Sequence, residues 1–469
     1  MKITFSPVTR ISGLLSINLF TDPAGRVCEA QVMGEQFRGF ESMMRGRKIT
    51  DAVYFTERIC GICSMAHGYT AARMVGQLYG SEAPPEMILL QQAMLGAEFL
   101  QNHIRHFYLL ALPDYLDAAV MGDATLPVPA SSHPEPSRLH PAQQRSYIEH
   151  YFASMAAGRK CHEMLAVFGG KVPHQHGLVA AGVTVPPSAD RRIQFQSLLE
   201  EVSEFIHGVM LPDAQLLAEV YPEYRGIGAG PGHFLSFGLF DPRFGGHFPA
   251  GLWRDGALLP VRATEITESI LHSWFEKTAS EIEPSPAKPG AYTWVKAPRY
   301  QGMACEGGPL ARKIIAGPAH GFEPPRALGV MERIVARAEE AALISDWIKE
   351  WIRSLPLHGK YIVPLEKPVA SRAFQANDAP RGPLLHSAAI AGTDIESYTI
   401  ITPSTWNFSP KDEAGGRGPA ETALLGCVAG PENPTEPGRI VRSFDPCLSC
   451  ATRLLDLDGK HKMTLNTLV

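Results

Sequence analysis

Two Cys-x-x-Cys pairs lie near opposite ends of the chain, Cys60 with Cys63 and Cys447 with Cys450. A turn of this kind places two sulfurs close enough to chelate one ion, and two such turns together supply four thiolates. Because almost the whole chain lies between the pairs, we expect the fold to bring them together. The sequence therefore predicts a four-thiolate metal centre that the intervening polypeptide encloses.

The cysteines alone leave the type of centre open. A structural zinc site is the default for four thiolates, but zinc modules commonly close local loops of roughly fifteen to twenty residues. A thioredoxin-like redox pair would account for one motif but not for two. We interpret the remaining cysteines as small buried apolar residues. These are Cys28, Cys161, Cys305 and Cys427.

The residues that flank the pairs are more specific than the pairs themselves. Residues 58–67 read Arg-Ile-Cys-Gly-Ile-Cys-Ser-Met-Ala-His, and residues 445–450 read Asp-Pro-Cys-Leu-Ser-Cys. Together they closely resemble the two signature motifs of the nickel–iron hydrogenase large subunit. The resemblance covers essentially the whole chain. Further similar segments lie at 37–41, 169–174, 182–183, 296–300, 308–312, 379–382 and 403–407.

The resemblance implies a Ni–Fe centre, with Cys60 and Cys447 as terminal thiolates on nickel. Cys63 and Cys450 would bridge nickel to an iron that carries carbon monoxide and cyanide ligands. Soft thiolates suit both metals. The implied activity is the reversible heterolytic cleavage of H₂ to protons and electrons.

Further residues in the similar segments are implied as partners of this centre. Arg381 resembles the family's arginine above the metals, which could bond a cyanide and hold polarised H₂, and Ser404 resembles the hydroxyl that bonds the other cyanide. Asp445 and Asp114 resemble acidic partners, and His67, one helical turn beyond the first pair, could bond a bridging sulfur. Ordinary roles remain open: a surface ion pair for the arginine, a solvated helix end for Asp114 and a hydrogen-bonded core histidine for His67.

Glu41 is implied as a ligand of a second, buried ion. The family's additional metal is usually magnesium, which prefers hard oxygen ligands and water. The neighbours of the ion would be a backbone carbonyl near Ile400 and residue 453.

The chain departs from the family pattern at two positions. Family members commonly have glutamate after Arg-Ile near the N-terminus, where it relays protons, whereas this chain has Ser12. A hydroxyl passes a proton along but cannot store one near neutral pH, so water, Glu57 or Glu35 would replace the acid, or turnover is altered. Many members have histidine three residues after the last cysteine, whereas this chain has Arg453. We predict that the tail, 454–469, is removed by cleavage after Arg453.

The same resemblance implies several partners. The chain has no further cysteine cluster suited to iron–sulfur wiring, so an iron–sulfur small subunit in a heterodimer or higher oligomer is implied. A maturation protease and metal-insertion chaperones are implied as well. Two other classes are weighed: a hydrogen-sensing regulatory subunit with low turnover, which Ser12 keeps open, and a respiratory-complex core subunit, which the four cysteines disfavour.

Charge and hydropathy bear on nucleic-acid binding, membrane insertion and cellular location. The net charge is −5 and no long block of like charge occurs, so nothing indicates a nucleic-acid partner. No stretch approaches eighteen uncharged apolar residues, so we expect no transmembrane helix. The N-terminal residues lead directly into a strand-like segment, so we expect no secretory signal there. We therefore expect a cytoplasmic location, with membrane association or co-export through the partner as the alternative.

The elements that must position these residues indicate an α+β fold that is mainly α. Alternating apolar residues at 3–33 predict a small N-terminal β-sheet, and long apolar stretches predict a central bundle of long helices. We expect one domain over 1–469, with a β region at 1–50, a helical core at 51–453 and the tail. Helices are predicted at 37–47, from the first pair to about 79, and at 86–112, 142–168, 189–211, 263–281 and 326–354. Long irregular loops are predicted at 121–141, 171–188, 222–262, 282–325 and 355–385.

Overall fold

The computed structural model describes residues 1–117, 135–278, 282–430 and 433–451, with only the backbone described at 450 and 451. Its α-helices are α1 (Phe40–Met44), α2 (Ala52–Glu57), α3 (Ser64–Leu78), α4 (Pro85–Arg105), α5 (Pro141–Gly169), α6 (Ala189–Phe205), α7 (Leu211–Val220), α8 (Pro309–Ala316), α9 (Val330–Ser354), α10 (Pro403–Asn407), α11 (Pro419–Ala423), α12 (Thr435–Ser443) and α13 (Leu448–Ala451). Its strands are β1 (Lys2–Phe5), β2 (Leu15–Thr21), β3 (Val27–Gly34), β4 (Leu178–Val179), β5 (Gly182–Val183), β6 (Phe234–Leu239), β7 (Phe248–Arg254), β8 (Ala257–Leu259), β9 (Ile266–Ser269), β10 (Phe275–Lys277), β11 (Ile282–Pro284), β12 (Ala297–Tyr300), β13 (Arg372–Ala379), β14 (Gly382–Ala391) and β15 (Asp394–Ile401).

Helix α4 is buried on every face and packs against α5 and α9. It begins at Pro85, a residue that suits the first helical position because that N–H has no partner within the helix. Gly96 allows close approach of α9, since a Cβ at this position would lie 2.7 Å from Ile348 Cδ1. Polar side chains on α4, such as Glu98 and Asn102, are therefore held in the interior, where they need protein partners.

The strands form several small antiparallel sheets. Three sheets have three strands each, in the orders β1-β2-β3, β6-β7-β8 and β13-β14-β15. In the last sheet, the hairpin that pairs Ala379 with Gly382 carries Arg381 at its turn. Gly382 has φ +128°, and a Cβ there would lie 2.8 Å from the Gly307 backbone, so glycine allows this close turn. The same sheet lies against α3, which follows the first cysteine pair.

The α+β class is confirmed, and the helices predicted at 86–112, 142–168, 189–211 and 326–354 overlap α4, α5, α6 and α9. Helix α4 continues into a π-helical turn at His106–Ala111. Among the described residues, no helix is both long and apolar enough to cross a membrane. The predicted division into regions stays a prediction, and the tail lies outside the described residues.

The helix predicted at 263–281 is wrong. This segment instead contains β9 and β10, and β9 pairs with β12 so that Ile266 lies opposite Tyr300. Pairing with a distant strand overrides local helix propensity, and β-branched Ile266 and Thr267 suit a strand. For the same reason, strands occur in the loops predicted at 171–188, 222–262, 282–325 and 355–385, and 282–325 also contains helix α8. Cys28 is also exposed rather than buried, because alternation along β3 turns its side chain outward.

Candidate metal centre

Three of the four predicted cysteine ligands converge in the interior. Cys60 and Cys63 lie between α2 and α3, and Cys447 immediately precedes α13. Their sulfurs lie within 4.8 Å of one another, and the Cys60 and Cys447 sulfurs are 3.3 Å apart. All three side chains are buried. The backbone of Cys450 lies in α13, but its side chain is outside the described part of the chain.

The N-terminal segment runs alongside the second pair. Ser12 N donates to Pro446 O at 3.1 Å, and Leu448 N donates to Ser12 O at 2.7 Å. Gly13 has φ +85°, and a Cβ there would lie 2.4 Å from Ser449 N. The close contact therefore requires glycine, and it brings Ser12 next to Cys447.

Arg38 joins the two cysteine motifs directly. Its Nη2 donates to Ile59 O, beside the first pair, and to Ser449 O at 2.6 Å, within the second. One guanidinium can serve both carbonyls because its donors are arranged in a fixed fork. The sequence analysis placed this arginine in a similar segment at 37–41 but gave it no role.

Arg381 lies in the interior beside the sulfurs and the Asp445 carboxylate. Its Nε donates to Asp445 O at 3.0 Å and lies 3.1 Å from Asp445 Oδ1. Burial alone would lower its pKa, but Asp445 and the thiolates of Cys447, Cys63 and Cys60 raise it above the usual value. The guanidinium is therefore a permanent buried cation. Its Nη1 has no hydrogen-bond partner among the described residues.

Asp445 is held by groups from distant parts of the chain. Asn102 Nδ2, on α4, donates to Asp445 Oδ2 at 2.9 Å. Burial acts to raise the pKa of Asp445, but Arg381 and other nearby cationic groups hold it below its usual value. The carboxylate is therefore charged and orients Arg381. Asn102 was missed because an amide on an apolar helix gives no signal of its own.

Ser404 is buried on α10, and its hydroxyl accepts a hydrogen bond from Cys447 N at 3.0 Å. This bond holds the start of the second motif against α10. The hydroxyl proton remains for another acceptor.

His67 is buried near the cysteine cluster. Its backbone N–H bonds Cys63 O at 3.3 Å, and its Nδ1 lies 3.1 Å from His386 Nε2. Burial lowers its pKa to about 4, although the Cys447 thiolate acts in the opposite direction. The imidazole is therefore neutral near pH 7.

Asp114 is fully buried and binds arginines, so a solvated helix end is excluded. Its carboxylate accepts two hydrogen bonds from Arg442 Nη1, at 2.9 and 2.8 Å, and another from Arg10. Its backbone carbonyl also accepts from Arg439. These contacts connect the segment before Ser12 to α12, which leads into the second motif.

Glu41 lies beside Ile400 and contacts its backbone N–H rather than a carbonyl. Its Oε1 accepts a hydrogen bond from Ile400 N at 2.9 Å, and its Oε2 lies 3.9 Å from Lys296 Nζ. Lys296 Nζ also lies 3.6 Å from Glu268 Oε2. Two carboxylates and a lysine therefore meet at this point, and residue 453 lies outside the described residues.

The two acids considered as proton relays differ in burial. Glu35 is exposed and accepts a hydrogen bond from Ser16. Glu57 is fully buried, and its Oε1 has no hydrogen-bond partner in the described part of the chain. Burial raises the pKa of Glu57 to about 9, so it holds a proton near neutral pH.

Glu98 is a second buried acid near the first pair, and the sequence analysis missed it. It accepts hydrogen bonds from Met65 N at 2.6 Å and Ala66 N at 2.9 Å, at the start of α3. Burial raises its pKa to about 8. A single glutamate among the otherwise apolar or small residues 93–100 is the signal that could have identified it.

Comparison with known proteins relates this site to one family. The family model described as nickel-dependent hydrogenase matches residues 38–135 and 128–453. The periplasmic [NiFeSe] hydrogenase large subunit of Desulfomicrobium baculatum is 32% identical, over 99% of this chain and 97% of that protein. The hydrogenase-1 large chain of Escherichia coli (strain K12) is 27% identical, over 99% and 97% respectively.

The fold agrees with these similarities. A crystal structure of the Desulfomicrobium baculatum [NiFeSe]-hydrogenase superposes with a TM-score of 0.90 at 33% identity, covering 96% of this chain and 99% of that chain. The Ni-Fe-Se hydrogenase of D. vulgaris Hildenborough superposes equally well at 31% identity. Both the sequence and the fold match over nearly the full length, and the conclusion is that this chain belongs to the nickel-dependent hydrogenase family.

Proposed function

We propose that the four cysteines hold a Ni–Fe centre, with Cys60 and Cys447 terminal on nickel and Cys63 and Cys450 bridging to iron. The observation that carries this proposal is three buried sulfurs within 4.8 Å of one another. Buried thiolates are costly unless they bind a metal, and soft ligands suit nickel and iron. When bound, such a centre supplies the heterolytic cleavage of H₂ into protons and electrons.

As a member of this family, the chain is an oxidoreductase that acts on H₂ and is the large, catalytic subunit. The regulatory alternative is not favoured, because the similar proteins are named as hydrogenases rather than as sensors. The respiratory-complex alternative is disfavoured by the cysteines. A zinc site is disfavoured by family membership.

The side chains beside the sulfurs fit an iron with carbon monoxide and cyanide ligands. Arg381 Nη1 is a buried donor without a protein partner in the described residues, and the Ser404 hydroxyl, which accepts from Cys447 N, still has its own proton to donate. Each donor suits one cyanide nitrogen. Asp445 orients the arginine, and the burial of the whole set excludes water from the reacting atoms.

Protons must leave a site where Ser12 stands at the usual relay position. Ser12 runs alongside Cys447, and its Oγ lies 3.3 Å from Ser449 Oγ, so it can pass a proton but not store it. We assign storage of the proton to Glu57, which is a buried acid. If Ser12 takes part, Ser12→Ala slows H₂/D⁺ exchange, and an unchanged rate rejects its role.

Electrons leave through a partner. The described residues contain one cysteine cluster, which the metal centre uses. We therefore assign electron transfer to an iron–sulfur small subunit in a heterodimer. Co-purification of an iron–sulfur protein with the tagged chain supports this assignment, and an active isolated chain contradicts it.

Maturation and the second ion form part of the same proposal. Metal-insertion chaperones would load the centre, and a protease would then remove 454–469. Magnesium would bind Glu41, where the Lys296 ammonium limits the negative charge of the two carboxylates. Metal analysis of the purified heterodimer tests whether one magnesium accompanies nickel and iron.

We propose that the chain is made and folded in the cytoplasm and leaves it only together with its partner. The similar large subunit from Desulfomicrobium baculatum is named periplasmic. Cell fractionation with and without the small-subunit gene separates a resident protein from a co-exported one.

Infrared spectroscopy of the purified heterodimer tests the central proposal. Carbon monoxide and cyanide bands are the expected result, in a protein that contains nickel and an excess of iron over nickel because the small subunit also carries iron. A zinc-loaded protein without these bands rejects the proposal. H₂ oxidation with an artificial dye then measures turnover and separates an enzyme from a sensor.

A further inference from the structure

Three buried side chains form a hydrogen-bonded row that leads away from the cysteine cluster. His67 Nδ1, on α3, lies 3.1 Å from His386 Nε2, on β14. His386 Nδ1 lies 3.0 Å from the Tyr398 hydroxyl, on β15. Because all three side chains are buried, each N–H or O–H group of the row needs a hydrogen-bond acceptor within the protein.

The tyrosine end determines the direction of these bonds. Within the described part of the chain, the Tyr398 hydroxyl has one hydrogen bond, to His386 Nδ1. If His386 donated from Nδ1, the phenol proton would be buried without an acceptor, which is unfavourable. Tyr398 is therefore the donor, and His386 Nδ1 is the acceptor.

The same direction follows along the row. A neutral imidazole that accepts at one nitrogen carries its proton on the other, so His386 carries it on Nε2 and donates to His67 Nδ1. His67 accepts at Nδ1 and therefore carries its own proton on Nε2. Burial lowers the pKa of both histidines, which agrees with two neutral rings.

The cysteine cluster lies at the other end of the row. His67 lies one helical turn beyond Cys63, and its backbone N–H donates to Cys63 O at 3.3 Å. Because His67 Nδ1 is already occupied by His386, Nε2–H is the remaining donor of the ring.

We infer that His386 and Tyr398 are positioning residues that hold His67 in the tautomer with its proton on Nε2, as a fixed hydrogen-bond donor to the cysteine sulfurs. The inference rests on the proposed Ni–Fe centre. A hydrogen bond to a thiolate reduces the electron density that the sulfur gives to its metal. Hydrogen bonds in a row polarise one another, so the bond from Tyr398 to His386 strengthens His67 as a donor.

Infrared spectra of the purified heterodimer test this inference through the carbon monoxide band. The variants are Tyr398→Phe, which removes the terminal donor, and His386→Phe, which removes the partner of His67. The control is Tyr147→Phe, an equally buried tyrosine whose hydroxyl donates to Asp213 O at 2.8 Å. Nickel and iron content is measured for each protein.

We expect the band to move to lower wavenumber in Tyr398→Phe and further in His386→Phe, at unchanged metal content. A weaker donor leaves more electron density on sulfur and iron, and the control stays at the original position. An unchanged band in metal-loaded Tyr398→Phe overturns the inference and leaves the Ni–Fe centre standing. Absence of carbon monoxide and cyanide bands in the unsubstituted protein rejects both. If His386→Phe does not assemble, Tyr398→Phe alone decides.

Discussion

Arg381 interacts with the Asp445 carboxylate and with the thiolates of Cys447, Cys63 and Cys60. One buried guanidinium therefore balances several negative groups, and its planar fork bonds Asp445 through Nε while Nη1 points elsewhere. We therefore expect the proposed role of this arginine to depend on both its charge and its shape. Lysine would keep the charge but lose the fork.

Arg381→Lys should lower the rate of H₂ oxidation by about 100-fold, the usual effect of removing one preorganised donor. Nickel and iron content should stay unchanged, because the cysteines that hold the metals are intact. Dye reduction under H₂ measures the rate. Arg243→Lys is the control, since that exposed arginine pairs with Asp241 away from the site. A fully active Arg381→Lys protein contradicts the role of the fork.

Glu57 makes stability depend on pH. Its pKa is raised by burial to about 9, against about 4.5 in the unfolded chain, while Arg58 and Lys171 act to lower it and Glu98 to raise it. The folded state therefore holds a proton that the unfolded state releases. The free energy of unfolding should fall by up to roughly 1.4 kcal/mol per unit as pH rises between these values.

Glu57→Gln should remove this fall, because an amide does not titrate. Urea midpoints at pH 6 and pH 8 measure the effect in both proteins. The difference between the two midpoints should be smaller in the variant. Glu35→Gln, an exposed site, should behave like the unsubstituted protein. Equal pH dependence in all three would show that Glu57 is charged when folded.

At the scale of elements, the second cysteine motif is held by short segments from distant parts of the chain. The strand-like segment at Ser12 pairs with the backbone of Pro446 and Leu448, and Arg38 binds Ser449 O. The position of Cys447 therefore depends on the N-terminal segment as well as on α12, which precedes it.

Gly13→Ala should disturb this contact. The new Cβ would lie 2.4 Å from Ser449 N and 2.8 Å from Leu448 C, backbone atoms that cannot move independently. We expect the purified protein to lose most of its nickel. Gly39→Ala is the matched control, because it also has positive φ but nothing within 4 Å of the new Cβ. Gly39→Ala should lower the free energy of unfolding only by backbone strain, about 1–3 kcal/mol. Full nickel content in Gly13→Ala contradicts the proposed packing requirement.

At the scale of the whole molecule, the fold closes a very long loop between the two cysteine pairs. The closure cost rises only slowly with loop length, and burial of α4 against α5 and α9 supplies apolar contacts that offset it. Metal binding then adds stability, because the unfolded chain does not hold the four thiolates together. We therefore expect folding, metal insertion and the proposed removal of the tail to be linked steps.

Protein from nickel-supplied cells should have an intact mass that ends at Arg453. Protein from nickel-depleted cells should retain 454–469, because cleavage follows metal insertion. Mass spectrometry of the two preparations measures this difference. A full-length species that oxidises H₂ contradicts the prediction.

The sequence by itself determined the chemistry of the centre, because a signature motif is local and carries its own flanking residues. Cys60, Cys63, Cys447 and Arg381 could be singled out in this way. The long helix α4 could also be predicted, because its apolar residues lie on nearly every side of the helix and it begins after two prolines. Arg38 lies in a segment that the sequence analysis recognised. The sequence did not show that its side chain bonds both cysteine motifs.

The tertiary structure alone decided what surrounds the centre. Asn102, Glu98, His386 and Tyr398 come from separate elements, and nothing in their own segments indicates that they meet. It also decided that 263–281 forms strands, since β9 exists through its pairing with β12. Hydrogen bonds between elements distant in the chain depend on packing, which local residue patterns do not specify.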